Sequence, residues 1–329
     1  MKMKRIFLVA IFFIALTTCV IAQNREMVRP ESLRPGDKIA IISPAGKCPA
    51  SFVSSAEQVL REWGYVPVVG KYALEVNGSF AGTIEQRKHD LEAALLDPEI
   101  KAILCTRGGY GSMQELCEMD LDIFARNPKW IIGYSDITAI HSTAVTKGVM
   151  SIHGQMCAHL KKYHGKDSCS RALRNILAGG VPHYKVKADR RNNYGTAKGM
   201  LLGGNLAMLN SFTASPIDML ANYADRDVIL FIEDVGESLE RLNRMIYTLK
   251  LNGTLGRIKG FIVGDFKNVK YTPDFKHVYD MIESVMKDYD IPVAYGFPVG
   301  HVDENYPMIE GAEVTLVVND DGSELTFDI

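Results

Sequence analysis

Between residues 38 and about 160, short apolar runs alternate with stretches of helical spacing, and no other feature limits the fold as strongly. Lys38-Ile39-Ala40-Ile41-Ile42-Ser43 is an apolar run closed by Pro44 and Gly46, and it reads as a buried strand. Residues 51–64 carry helical spacing and end at a glycine. Residues 66–69 form a second strand, and residues 83–96, rich in Glu, Gln, Arg, Ala and Leu, form a helix that stops before Pro98. A third strand over 100–105 runs into Arg107-Gly108-Gly109-Tyr110-Gly111. A helix over 112–119, a strand at Trp130-Ile131-Ile132 and a helix over 137–147 complete the series. This order predicts an α/β fold whose parallel sheet is doubly wound, with helices on both faces.

The chain has 329 residues, enough for about two domains at ~150 residues each. The first is expected over residues 30–180. Ala178-Gly179-Gly180 and Asp189-Arg190-Arg191-Asn192-Asn193 read as an exposed linker over 181–197. The second region, 198–329, holds strands at 228–232 and 260–263, helices over 239–251 and 275–287, and strands near Val293, at 314–318 and at 325–327. It is predicted to be a smaller, strand-rich domain. Apolar residues make up 47% and charged residues 23%, which excludes a disordered tail or a disulfide-dense miniprotein. With 37 basic and 39 acidic residues, no basic bias points to nucleic acid as a partner.

Lys2, Lys4 and Arg5 precede an unbroken apolar run over 6–16, and Val20 and Ala22 stand at −3 and −1 of a small-residue cleavage site before Gln23. This is the layout of a secretory signal peptide over residues 1–22, and it predicts export to the periplasm. The run is shorter than the ~20 residues a membrane span needs, so no stable span is expected after cleavage. Lipid attachment at Cys19 is the weaker reading, because Thr18 fits a lipobox poorly. Cleavage would shift the net charge from −2 to −5. It would leave Cys48, Cys105, Cys117, Cys157 and Cys169, an odd set with at least one unpaired thiol. Cys105 and Cys117 read as buried free cysteines.

Four loops carry candidate chemistry. Gly133-Tyr134-Ser135-Asp136 joins a strand to a helix, where a nucleophile projects above the sheet edge and the next backbone N–H faces a developing oxyanion. Ser135 or Asp136 merely capping the helix is the competing reading. Thr106-Arg107-Gly108-Gly109-Tyr110-Gly111-Ser112 lets the backbone approach a ligand closely, but no GK[ST] follows, so it is not a P-loop. Glu233 ends the apolar run before Asp234-Val235-Gly236-Glu237, either solvated or holding a partner such as histidine. Gly296-Phe297-Pro298-Val299-Gly300-His301 fixes a histidine that is either a general base or a solvated loop residue. His141, His153, His159 and His164 lack metal-ligand spacing and read as scattered surface histidines, so neither metal nor cofactor is expected. Ser135, Glu233 and His301 together have the composition of a Ser-His-Glu triad.

The chain resembles the LD-carboxypeptidases, or muramoyltetrapeptide carboxypeptidases, serine peptidases that include the microcin C immunity proteins as a branch. Four stretches carry the resemblance. Pro35-Gly36-Asp37-Lys38-Ile39-Ala40 with Ser43-Pro44-Ala45-Gly46 is the first, and the run from Arg87 through Arg107 to Ser112 the second. The others are Gly133-Tyr134-Ser135-Asp136-Ile137-Thr138, and Glu233-Asp234-Val235-Gly236-Glu237 with Gly300-His301. The resemblance implies Ser135 as nucleophile, His301 as base then acid, Glu233 as its orienter, and the N–H groups of Gly109 and Asp136 as oxyanion hole. It further implies a flavodoxin-like N-terminal domain bearing the serine, a C-terminal domain supplying Glu and His, and a homodimer. The implied reaction releases D-alanine from peptidoglycan stem tetrapeptides through an acyl-enzyme, without metal. Aminoacyl-nucleotide-like amides are the alternative substrate class, and a non-catalytic muropeptide-binding protein the alternative without chemistry. The export signal departs from many members, and Asn305-Tyr306-Pro307-Met308-Ile309-Glu310-Gly311 is a loose version of the family's last loop.

Overall fold

The computed structural model describes residues 26–329. The expected signal peptide and Cys19 lie outside the described residues. Among the described residues, no helix is long and apolar enough to cross a membrane.

The first five strands are β1 (Lys38–Ile42), β2 (Val66–Val69), β3 (Ile100–Cys105), β4 (Trp130–Gly133) and β5 (Ser151–His153). They pair in parallel in the order β5-β4-β3-β1-β2. Ile39 to Ile42 in β1 and all of β4 are buried, as strands covered on both faces must be. The helix Ile84–Leu96 begins at Thr83, whose hydroxyl accepts from Gln86 N while the Gln86 side chain accepts from Thr83 N. That reciprocal cap explains why the helix starts where the sequence suggests.

The remaining strands are β6 (His183–Lys187), β7 (Gly195–Asn205), β8 (Val228–Val235), β9 (Gly260–Lys267), β10 (Val293–Tyr295), β11 (Met308–Glu310), β12 (Glu313–Asn319) and β13 (Gly322–Asp328). Seven of them form a second sheet in the order β10-β9-β8-β7-β12-β13-β6. Its β10-β9-β8-β7 half is parallel, and β12, β13 and β6 run antiparallel. The two kinds of strand look different in sequence. Val228 to Asp234 of β8 are all buried, whereas in β12 only Val314, Leu316 and Val318 are, leaving the other face half-exposed. This half is strand-rich, as expected, and carries seven strands against the first sheet's six.

Four findings depart from the sequence reading. The stretch 181–197 is not a plain linker. It contains β6, the edge of the second sheet, and the start of β7. In addition β11, from the C-terminal region, joins the first sheet antiparallel to β5, through Met308–His153, Ile309–Ile152 and Glu310–Ser151. The chain thus straps the second region back onto the first. The surface reading also fails for His141 and His153, which are fully buried. His141 bonds Ser151 Oγ at 2.5 Å and the Gly133 carbonyl at 2.9 Å. All five described cysteines are free, but Cys117, which follows the last residue of its helix, is exposed rather than buried.

Candidate active site

The four candidate loops all leave the carboxyl ends of parallel strands, where open α/β sheets present their ligand groups. Ser135 follows β4 and takes φ 68°, a left-handed conformation that a serine adopts only where its surroundings hold it there. It opens a single 3₁₀ turn, Ser135–Ile137. Gly133 is required below it, since a Cβ there would stand 2.9 Å from Ile137 Cγ2. The helix Thr138–Thr146 has no side-chain cap, so neither Ser135 nor Asp136 serves that purpose. Asp136 reaches sideways instead. Its Oδ2 accepts from Ser112 N at 2.9 Å and its carbonyl accepts from Ser112 Oγ at 2.7 Å. The serine turn and the glycine-rich loop are thereby tied together.

That loop presses on the serine. A Cβ on Gly108 would lie 2.9 Å from Ser135 Cβ and 3.2 Å from Asp136 N, so only glycine leaves the hydroxyl accessible. Gly109, at φ 123°, packs on the Gly46 backbone. Arg87 braces the loop from behind, donating to Glu115 Oε2 at 3.0 Å, Gln114 Oε1 at 2.7 Å and the Gly82 carbonyl at 2.9 Å. Its partner Glu115 is fully buried, and burial holds that carboxyl well above its ordinary range despite the guanidinium beside it.

Glu233 lies near the end of β8, completely buried. Its Oε2 is 2.7 Å from His301 Nδ1, and His301 Nε2 is 3.1 Å from Ser135 Oγ. A carboxylate only accepts, so Nδ1–H donates to Glu233 and Nε2 is left to accept from the Ser135 hydroxyl. The solvated readings of Glu233 and His301 are therefore excluded by position. Gly300, at φ 120°, precedes the histidine, and a Cβ there would stand 2.7 Å from Glu233 Cβ. Tyr134 flanks the imidazole edge-on, with ring centroids 5.0 Å apart, and burial first raises its phenol to about 12.

Sequence reading missed a group of buried polar residues that support these three. Gln155 Nε2 donates to the Asn305 carbonyl, and Asn305 Oδ1 accepts from Gly300 N at 2.9 Å. Both side chains are buried. Asp234 accepts from Ala207 N at 2.8 Å and from Asn205 Nδ2 at 3.2 Å, holding the start of the helix Leu206–Ser211. Gln155 and Asn205 sit in no motif, and Asp234 stands in the stretch after Glu233 with no role of its own assigned. The loose loop 305–311 was the only hint. His159 bonds Asp167 at 3.2 Å, and among the described residues no three His, Cys, Asp or Glu side chains group to hold a metal ion.

A serine bonded to a histidine that a buried carboxylate orients is an arrangement that recurs on unrelated serine-hydrolase folds, and α/β-hydrolases likewise hold the serine on a strained strand–helix turn. Comparison with known proteins narrows this. The LD-carboxypeptidase N-terminal domain matches residues 39–154 and the LD-carboxypeptidase C-terminal domain matches 198–316, so the chain belongs to the LD-carboxypeptidase family. A probable murein peptide carboxypeptidase of Bacillus subtilis is 30% identical, over 88% of this chain and 91% of its own. The microcin C7 self-immunity protein of Escherichia coli is 27% identical, over 84% and 88%. The crystal structure of a muramoyltetrapeptide carboxypeptidase from Oxalobacter formigenes superposes with a TM-score of 0.79 at 25% identity, covering 89% of this chain and 99% of that one.

Proposed function

We propose that the protein is an exported serine carboxypeptidase that releases the terminal D-alanine from peptidoglycan tetrapeptides. The observation that carries this reading is the hydrogen-bonded chain Glu233–His301–Ser135 at the strand ends of an LD-carboxypeptidase-family fold. Ser135 Oγ attacks the carbonyl of the third stem residue while His301 Nε2 takes the hydroxyl proton. Glu233 orients the ring and stabilises the imidazolium that forms. The tetrahedral oxyanion is met by the backbone N–H groups of Gly109 and Asp136. As the intermediate collapses, His301 returns the proton to the departing amine, and D-alanine leaves an ester on Ser135. Water, deprotonated by His301, then hydrolyses that ester. In this scheme the serine belongs to a domain over 30–180 and the glutamate and histidine to one over 198–329. Export rests on the sequence pattern of residues 1–22, and a homodimer on the family resemblance.

The test is mass spectrometry of a tetrapeptide muropeptide incubated with wild type and Ser135→Ala. Wild type is expected to release D-alanine, with kcat falling about 10⁴- to 10⁶-fold in the variant. An aminoacyl-nucleotide amide assayed alongside separates the microcin-immunity type of substrate. Its turnover in place of the tetrapeptide's would overturn the reading.

A further inference from the structure

A carboxypeptidase must recognise the free carboxylate of the residue it releases, and the cavity walled by Tyr134 and His301 offers one group for that purpose. This open cavity, of about 380 Å³, is lined by Tyr134, His159, Lys162, Lys267, His301 and Asp303 among others. Its size is that of a site for a small ligand, commonly ~300–1,000 Å³. His301 forms part of its wall. In the proposed scheme His301 gives its proton to the departing amine, so the leaving residue lies on this side of the serine.

The charges around the cavity are mostly spoken for. Lys162 is ion-paired with Asp303 at 2.6 Å. His159 is bonded to Asp167 and His301 to Glu233. Lys267 stands apart: it is exposed, lines the cavity, and makes no ion pair among the described residues. Asp265 and Asp303 feel its charge, but Asp303 already holds Lys162. Lys267 is the last residue of β9 and pairs in register with Val235, two residues beyond Glu233 on the neighbouring strand. Its ammonium is thus rooted at the same sheet edge as the histidine's partner. Arg107, on the glycine-rich loop that packs against the serine, does not line this cavity.

We propose that Lys267 anchors the C-terminal carboxylate of the leaving residue, placing the released amino acid in this cavity and making a free peptide C-terminus the ligand class it accepts. The inference rests on the carboxypeptidase reading above. An ammonium is a compact point charge with three donors, suited to one carboxylate at a solvent-facing rim.

The experiment uses two peptides that differ only at the end, one terminating in D-alanine and the other in D-alaninamide. Their kcat/KM is measured with wild type, Lys267→Met, Lys267→Arg and Arg107→Met, with circular dichroism confirming the fold of each. Wild type is expected to prefer the acid. Lys267→Met should lower kcat/KM for the acid about 10- to 100-fold, mainly through KM, and leave the amide unchanged. Lys267→Arg should keep most of the preference. A Lys267→Met enzyme that loses both substrates equally, or that keeps the acid–amide ratio, overturns the assignment. So does loss of the preference in Arg107→Met alone. A wild type that cleaves the terminal residue from neither peptide overturns the carboxypeptidase reading itself, and the anchor with it.

Discussion

Asp234 adjoins Glu233 in sequence but serves a different end. Its carboxylate accepts from the Ala207 and Asn205 groups at the start of the helix Leu206–Ser211. Burial, with the neighbouring Glu233 charge adding to it, pushes the Asp234 carboxyl up to about 7. The sign of the consequence follows from linkage. Between the unfolded value near ~4 and the folded value, the folded protein holds a proton that the unfolded chain has released. Asp234 therefore supports the fold most below that window, and its contribution is lost as pH rises toward 7. Asp234→Asn is expected to flatten the change of melting temperature between pH 5 and 8, read by calorimetry. An unchanged slope would remove Asp234 as its source. At this scale the sequence was legible where glycine or strand ends frame a polar side chain, as at Ser135, Glu233 and His301, which the structure bonds together. It was opaque for Gln155, Asn305 and Lys267, because an amide or a lysine outside a motif acquires its partner only once distant segments meet.

The element that controls the geometry of the site is the strap 300–310. It begins with Gly300-His301 beside Glu233, and it ends in β11, paired with β5 of the first sheet. Midway, Asn305 accepts from Gly300 N and its carbonyl receives Gln155, the residue two past β5. The imidazole is thereby held over Ser135 by bonds to both sheets. Asn305→Ala removes the acceptor for Gly300 N and leaves that buried donor unmatched, a loss of about 1–3 kcal/mol. The expected result is a kcat at least 10-fold lower, with KM little changed. Asn305→Asp keeps an acceptor and should recover most of the rate, which a purely structural loss would not. Equal damage from both substitutions would sink this role. Neither β11 nor β6 was visible in the sequence. β11 is three residues long. In β6 exposed His183, Lys185 and Lys187 alternate with Tyr184 and Val186, which resembles a polar connection until its pairing with β13 is seen. By contrast β1, β3 and β4 are buried on both faces, and that doubled burial is what wrote them as apolar runs.

Across the whole molecule, serine and histidine come from separate sheets, so the 3.1 Å contact between them depends on how firmly the two halves are joined. They share two apolar clusters: in one, Ile140 and Ala144 of the helix after Ser135 join Leu206, Leu209 and Phe212, and in the other Trp130 and Ile152 join Phe231 and Phe297. Gly204, at φ 127°, lets the backbone of β7 come so close that an added Cβ would stand 2.6 Å from Thr138 Cγ2. The bond from Asn205 N to Thr138 Oγ1, at 3.1 Å, closes the same contact. The alternation of runs foretold the doubly wound first region and a strand-rich second one, but shared apolar clusters and a returning strand leave no periodic trace. Two regions with little in common would unfold separately, whereas two shared clusters and one strap make them unfold together. The chain supplies its own reporter, since its two tryptophans, Trp63 and Trp130, both lie buried in the first half. Tryptophan fluorescence follows that half, and far-UV circular dichroism follows both sheets. In urea the two signals are expected to trace one coincident transition, with D-alanine release lost at or before its onset. A fluorescence transition separated from the circular dichroism one would mean that the halves are held together by the strap alone. In that case Asn305→Ala should widen the gap between the two midpoints.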